Sequence, residues 1–148
     1  MKRAMATIEI REAMESDAAA IARLAEELGY PSTVEQIRER LVSLNADRHA
    51  VFVATDGAGE VVGWIQVSEV RNLIAGMRAD INGLIVSSAK RSAGTGLQLL
   101  RRGEKWARQK GLATIGVQSN IVRERAHAFY LRHGYAVSKT QKAFRKEL

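Results

Sequence analysis

The sequence predicts a mixed α/β fold in which helices cover a β-sheet. Two features of the 148-residue chain predict it. Short apolar runs with the alternation of strands are interspersed with longer segments whose apolar residues recur every three or four positions, as on one face of a helix. In order, these segments read β-α-α-β-β-β-α-β-α-β, the pattern of a layered α/β protein. A chain of this length is expected to form one domain.

The first elements are predicted to be one strand and two helices. Residues 7–11 form the strand, because Ile8 and Ile10 alternate with polar neighbours. The helix that follows has a buried face at helical spacing, made of Ile21, Leu24, Ala25 and Leu28. Thr33 and Gln36 then have the spacing of a capping box, which predicts the start of a second helix. The apolar face of that helix comprises Val34, Ile37, Leu41 and Leu44.

Three strands are predicted in the middle of the chain. Residues 50–55 and 61–67 flank the turn "DGAGE" and form a hairpin. Residues 79–86 form the next strand, and its end is continuously apolar. Continuous apolar character is typical of a strand that is covered on both faces.

Four further elements, two helices and two strands, are predicted in the C-terminal part of the chain. A helix is expected over 95–110, a strand over 113–119 and a second helix over 122–133. One side of that second helix carries Val122, Ala126, Phe129 and Tyr130. Residues 134–144, "GYAVSKTQKAF", are predicted to close the sheet as its last strand.

The turn between the strand 79–86 and the helix 95–110 has the composition of an anion-binding site. Two glycines let the backbone approach a ligand closely, and a helix N-terminus offers unpaired N–H groups. Asp and Glu are absent between Asp80 and Glu104. A Walker loop is excluded because Leu97 follows the second glycine, and a dinucleotide fingerprint is weak because Leu99 replaces its third glycine.

The turn instead reads Arg-x-x-Gly-x-Gly over residues 91–96, directly after the strand that ends in Val86. This pattern resembles the acetyl-CoA pyrophosphate loop of the GNAT N-acetyltransferase superfamily. Residues 79–135 resemble the strand-loop-helix-strand-helix core of that family, and 119–135, "SNIVRERAHAFYLRHGY", resemble its second cofactor motif. The small residues Ser92 and Ala93 depart from the usual pair, and the loop is still expected to close.

The resemblance implies one N-acetyltransferase domain over 1–148, with a mostly antiparallel mixed sheet and helices on both faces. The acceptor side would lie in residues 1–78 and the acetyl-CoA core in 79–135. Backbone groups of the strand would bind the pantetheine arm and the thioester carbonyl; the residues are Leu84, Ile85 and Val86. Backbone N–H groups of the loop would cradle the pyrophosphate; its residues are Arg91, Ser92, Ala93, Gly94, Thr95 and Gly96. Asn120 would hydrogen-bond the cofactor arm, or act as a helix N-cap.

The resemblance also implies two catalytic residues. Tyr130 matches the tyrosine that protonates the departing thiolate, although a core aromatic would occupy the same helix face. Basic neighbours would lower its pKa if they point inward; these are Arg123, Arg125 and Arg132. Asp80 matches the position of the general base, and Glu69 is a second candidate.

Composition further limits the kinds of site and the cellular location that we expect. The chain has no cysteine, so we expect no cysteine nucleophile. It has three histidines, none of which forms a metal-binding pair at helical spacing, so we expect no metal site. The absence of a membrane-length apolar run and of a secretory signal predicts a cytoplasmic protein without membrane partners. Residues 90–148 carry fourteen Lys/Arg and three Asp/Glu, a net +11, against a net −4 for residues 1–89.

These observations predict transfer of acetyl from acetyl-CoA to a primary amine of a small molecule by direct attack in a ternary complex. The acceptor would be an aminoglycoside, a polyamine, an amino acid or an aminoalkylphosphonate. Alternatives are acetylation of a protein or peptide amine, or a non-catalytic acyl-CoA-binding module. Nucleic-acid binding is disfavoured, because aromatic residues for base stacking make up only 5% of the chain. The oligomeric state is left open, with a homodimer as one option.

Overall fold

The computed structural model describes residues 7–90 and 94–148. These residues form two compact units, one that extends to Gln118 and one that comprises Ser119–Leu148. The helices and strands follow in the order β1 (Glu9–Glu12), α1 (Ala18–Glu27), α2 (Val34–Ser43), β2 (His49–Thr55), β3 (Val61–Asn72), β4 (Gly76–Val86), α3 (Thr95–Gln109), β5 (Ile115–Val117) and α4 (Glu124–Arg132).

The first unit contains a five-stranded sheet in the order β1-β2-β3-β4-β5. Strands β1 to β4 pair antiparallel with their neighbours, and β5 pairs parallel with β4. This is the mixed, mostly antiparallel sheet that the resemblance implied. The predicted order of elements is confirmed from β1 to α4.

The last predicted strand, over 134–144, does not form in the structure. No residue between His133 and Leu148 is in a strand, and residues 136–148 are exposed. Residues 134–148 mix scattered apolar residues with four cations; the cations are Lys139, Lys142, Arg145 and Lys146. A strand requires ladder hydrogen bonds to a neighbour. This segment has neither those bonds nor a continuous apolar face to bury.

Helices lie on both faces of the sheet, as predicted. Residues of α1 pack on one face against Val53, Val61 and Ile85; they are Ile21, Leu24 and Ala25. The predicted buried face of α1 is therefore confirmed for these three residues. The capping box of α2 also forms, since Thr33 Oγ1 accepts from Gln36 N at 3.1 Å and Gln36 Oε1 accepts from Thr33 N at 2.9 Å.

Helix α3 covers the opposite face of the sheet, and its backbone lies close to β3. Its buried residues include Leu99, Leu100 and Trp106. A Cβ atom added at Gly103 would lie 3.0 Å from Ile65 Cδ1 and Val67 Cγ1. The missing side chain at Gly103 thus lets the helix backbone settle directly on β3.

This close approach makes Gly103 sensitive to substitution. We expect Gly103→Val to overpack the contact and to lower the free energy of unfolding by about 1–3 kcal/mol. Denaturant unfolding measures the change, and Lys105→Val on the exposed side of α3 controls for a β-branched residue in the helix. Equal stabilities of the two variants would show that α3 does not depend on the glycine contact.

Candidate active site

Strands β4 and β5 pair over only three residues and then separate. Ala79, Asp80 and Ile81 are the β4 partners of Ile115–Val117. Immediately afterwards the register of β3 shifts, because Gln66 pairs with Gly83 while Val67 pairs with Ile81. Asn82 is therefore the extra residue of a β-bulge, which bends a strand locally.

The stretch of β4 beyond the bulge presents an open strand edge. Among the described residues no strand pairs with Asn82–Val86 on the side where β5 has ended. A free strand edge offers backbone N–H and C=O groups to an extended ligand. Leu84, Ile85 and Val86 lie on this stretch, so the structure places the predicted arm-binding residues on the open edge.

Gly83 lies under an indole ring on the same stretch. A Cβ atom there would approach Trp64 Cη2 and Cζ3 at 2.8 Å. The indole Nε1 is buried and has no hydrogen-bond partner among the described residues. We had not predicted the Gly83–Trp64 contact, although a glycine inside a strand pattern is a recognised signal of a bulge or a close approach.

Along the chain, the open edge of β4 is followed by the N-terminus of α3. Gly94 has a φ of 83°, in the left-handed region, and precedes the first residue of the helix. Thr95 is 1% exposed, and its Oγ1 has no partner among the described residues. The first turn of α3, which includes Gly96, contains no acidic side chain.

An N-terminus of this kind has free N–H groups and a partial positive charge. It can therefore hold a phosphate through the backbone. The other predicted loop residues lie outside the described ranges; they are Arg91, Ser92 and Ala93.

The two base candidates face opposite sides of the sheet. Asp80 is the register partner of Ser68, and Glu69 is that of Ala79, so their side chains alternate. Asp80 Oδ1 accepts a hydrogen bond from Arg78 Nε at 3.0 Å. This bond raises the pKa of Arg78. The Asp80 side chain keeps 23% of its surface exposed, whereas that of Glu69 keeps 8%.

Gly116 on β5 lies beside the Asp80 carboxylate, at ordinary van der Waals distance. A Cβ atom at Gly116 would lie 3.5 Å from Asp80 Oδ1. Asp80 thus lies in the segment of β4 that pairs with β5, just before the bulge and the open edge.

Among the described residues no three His, Asp or Glu side chains are grouped to hold a metal ion.

The second unit contains the other predicted site residues. Tyr130 on α4 is half-buried and makes edge-to-face contacts with Phe129 at 5.3 Å and Tyr135 at 5.5 Å between ring centroids. Burial raises the pKa of Tyr130 to about 12. The expectation that basic neighbours lower this pKa is wrong, because desolvation of the phenolate dominates.

Asn120 lies before α4 and does not cap it, since the N-cap is Arg123. Its Oδ1 accepts a hydrogen bond from Val122 N at 3.1 Å, and its backbone oxygen lies 2.9 Å from His127 Nε2. The side chain therefore shapes a turn through its carbonyl oxygen. Its amide nitrogen makes none of these bonds.

In the described part of the chain, no helix combines the length and the apolar character needed to cross a bilayer.

Comparison with known proteins agrees with this architecture. An aminoglycoside N(6')-acetyltransferase type 1 of Stenotrophomonas maltophilia is 29% identical over 143 residues, which cover 94% of this chain and 93% of that protein. An aminoalkylphosphonate N-acetyltransferase of Salmonella typhimurium strain LT2 is 41% identical over 81 residues, which cover 54% and 53% of the two chains. The structure of aminoglycoside N-acetyltransferase AAC(6')-Iy in complex with CoA superposes with a TM-score of 0.87 over the whole of both chains, at 17% identity.

A family profile decides the assignment. The profile described as Acetyltransferase (GNAT) family matches residues 8–135, which include β1, the open edge of β4, α3 and α4. The chain therefore belongs to the GNAT acetyltransferase family.

Proposed function

We propose that this protein transfers the acetyl group of acetyl-CoA to a primary amine of a small molecule, by direct attack within a ternary complex. The observation that carries the proposal is the succession along the chain of an open strand edge over Asn82–Val86 and the acid-free N-terminus of α3. We propose further that residues 1–148 act as one N-acetyltransferase domain. Residues 1–78 would supply the acceptor side, and 79–135 the donor side.

The donor site fits the shape and charge of acetyl-CoA. Backbone groups of Leu84, Ile85 and Val86 bind its extended arm as a further strand would bind. The pyrophosphate lies at the first turn of α3, where Gly94 and Gly96 leave the backbone accessible. Thr95 Oγ1, which has no partner among the described residues, offers a hydroxyl there. The CoA-bound relative supports this choice of donor.

The thioester end then lies next to Asp80. When bound, acetyl-CoA supplies an acetyl group activated as a thioester. The arm runs from the pyrophosphate back along β4, so its reactive end points toward the bulge at Asn82. Asp80 lies two residues beyond the bulge, and one of its oxygens is held by Arg78. We assign Asp80 the removal of the proton from the attacking amine, because amines are mostly protonated at neutral pH.

Tyr130 serves as a hydrogen-bond donor to the departing sulfur in this proposal. Its raised pKa of about 12 keeps the phenol protonated at neutral pH. A thiol ordinarily has a pKa of about 8.5, so complete proton transfer from a phenol of this pKa is uphill by roughly three to four pKa units. Tyr130 therefore stabilises developing negative charge, and the final proton comes from solvent.

The substrate class is proposed from the curated relatives. One is named for aminoglycosides and the other for aminoalkylphosphonates, and both classes carry a primary amine on a small polar molecule. The net −4 charge of residues 1–89 favours cationic acceptors among these.

A release assay for free CoA tests the activity. The panel contains an aminoglycoside with a 6′-amino group, an aminoalkylphosphonate, a polyamine, an amino acid and a lysine-containing peptide. We expect turnover with one of the small amines and the strongest signal from a cationic one. Release with the peptide alone would contradict the substrate class. No release with any amine, in protein that binds acetyl-CoA, would contradict the proposed activity.

Gly94→Val tests the donor site. Valine is strained at a φ of 83°, so the turn before α3 should distort, and acetyl-CoA affinity should fall tenfold or more, about 1.4 kcal/mol. Calorimetric titration measures the affinity. Gly59→Val is the matched control, because Gly59 has a φ of 82° in the turn between β2 and β3. A similar loss of acetyl-CoA affinity in both variants would contradict the placement of the donor site at the N-terminus of α3.

Tyr130→Phe tests the hydrogen-bond role. A bond to a charged acceptor is worth about 1.5–3 kcal/mol, so kcat should fall roughly 10- to 150-fold while the Kd for acetyl-CoA stays the same. The same substitution should abolish a tyrosine titration near pH 12 in the ultraviolet difference spectrum. Unchanged kcat, measured where chemistry limits the rate, would leave Tyr130 as a packing residue only.

A further inference from the structure

Three polar side chains stand in one row across the sheet. His49 on β2 is the register partner of Ser68 on β3, and Ser68 is the register partner of Asp80 on β4. Direct partners project from the same face, with Cβ atoms about 4.5–5.5 Å apart. We call His49, Ser68 and Asp80 the polar row. It lies on the face of the sheet that α1 and α2 cover.

Ser68 and the Nδ1 atom of His49 are shielded from water. Ser68 is 4% exposed. His49 Nδ1 is buried and has no hydrogen-bond partner among the described residues. Leaving a buried polar atom unpaired costs about 1–3 kcal/mol, so such an atom calls for an explanation. A serine hydroxyl can donate to an imidazole nitrogen while it accepts from a carboxyl group.

His49 also borders a cavity at the protein surface. It lines a cavity of about 260 Å³ at the end of the sheet, between the β1–α1 connection, the end of α2 and the start of β2. The charged residues of the lining are Glu12 and Glu15, while α2 contributes apolar side chains and α3 contributes Trp106. The polar row thus connects the proposed reaction centre at Asp80 with this cavity.

Building on the role proposed for Asp80, we propose that Ser68 and His49 form a proton relay that carries the amine proton from Asp80 to the cavity. The Asp80 carboxyl O–H donates its proton to Ser68 Oγ while the Ser68 hydroxyl passes its own proton to His49 Nδ1. The imidazolium then releases its Nε2 proton to water in the cavity. One proton moves from the amine to solvent, and Asp80 returns to its carboxylate form. His49 is left with its remaining proton on Nδ1. Rotation of the ring toward the cavity and proton exchange with water there return it to the Nε2–H tautomer, and rotation of the Ser68 hydroxyl resets the relay.

The relay supplies what a lone aspartate lacks. Transfer along the polar row returns Asp80 to its charged form for the next amine. The relay forms through single-bond rotations of the Ser68 and His49 side chains, without movement of the sheet. Both are relay residues, since neither touches the substrate.

Substitutions in the polar row test this proposal on the best acceptor from the amine panel. Single-turnover rates and pH profiles are measured for His49→Gln, Ser68→Ala, their double variant and Asp80→Asn. We expect His49→Gln and Ser68→Ala each to lower the rate at pH 7 at least tenfold. The KM values should stay within twofold, and the loss should shrink as pH rises because hydroxide takes the proton. The double variant should be no slower than the slower single variant.

Chemical rescue gives a positive result that a structural role would not. His49→Ala enlarges the cavity, and added imidazole should restore at least part of the lost rate in proportion to its neutral form. Ser43→Ala, on exposed α2 surface, and His133→Gln, at the C-cap that follows α4, are controls that should keep the wild-type rate. If His49→Gln fails to fold, His49→Asn takes its place, with circular dichroism as the check.

The outcomes separate the relay from the proposed function. Wild-type rates for His49→Gln and Ser68→Ala, with a slow Asp80→Asn, would overturn the relay and keep Asp80 as the base. A loss that is independent of pH and is not rescued by imidazole would also overturn the relay. An Asp80→Asn variant with the wild-type rate would overturn the assignment of Asp80, and the relay with it.

Discussion

The separation of β4 from β5 is the constraint on which the candidate site depends. Hydrogen bonds between these parallel strands end at Ile81 and Val117, and the bulge at Asn82 follows immediately. If the pairing continued, the backbone groups of Asn82–Val86 would be satisfied within the sheet. Because it stops, one sheet provides both a rigid paired region that holds Asp80 and an unpaired edge that can bind an extended ligand.

Helix α3 converts that open edge into a site for an anionic ligand. Its close packing on β3 through Gly103 fixes the position of its N-terminus beyond the end of β4. The first carboxylate after that N-terminus is Glu104, which is buried and bonded to Arg101 at 2.7 Å. The partial charge of the helix N-terminus is therefore not neutralised by a side chain of its own first turn. The strand edge and the helix end both present polar backbone groups.

Local sequence patterns predicted the elements well where the signal is local. The apolar spacing of α1 and the capping box of α2 depend on residues a few positions apart, and both appear as expected. The glycine turn before α3 was predicted for the same reason. The strand expected over 134–144 depends on a partner elsewhere in the chain, and it does not form.

The finer features of the site follow from tertiary structure and could not be read from spacing. Which face Asp80 and Glu69 occupy depends on strand register, and a one-residue shift would exchange them. The direction of the Tyr130 pKa shift depends on burial, which sequence spacing does not reveal. The polar row joins residues of three strands, and neighbours in the row are 19 and 12 positions apart in sequence, so only the pairing of β2, β3 and β4 brings them together.

Amide hydrogen exchange with and without acetyl-CoA tests the central claim most directly, because it reports on backbone groups. The account predicts slower exchange on binding in two segments, the open edge of β4 at residues 82–86 and the first turn of α3 at residues 94–97. Exchange in β1 and β2 should stay unchanged. Binding of acetyl-CoA without protection of these two segments would contradict the account, since the donor would then lie elsewhere on the protein.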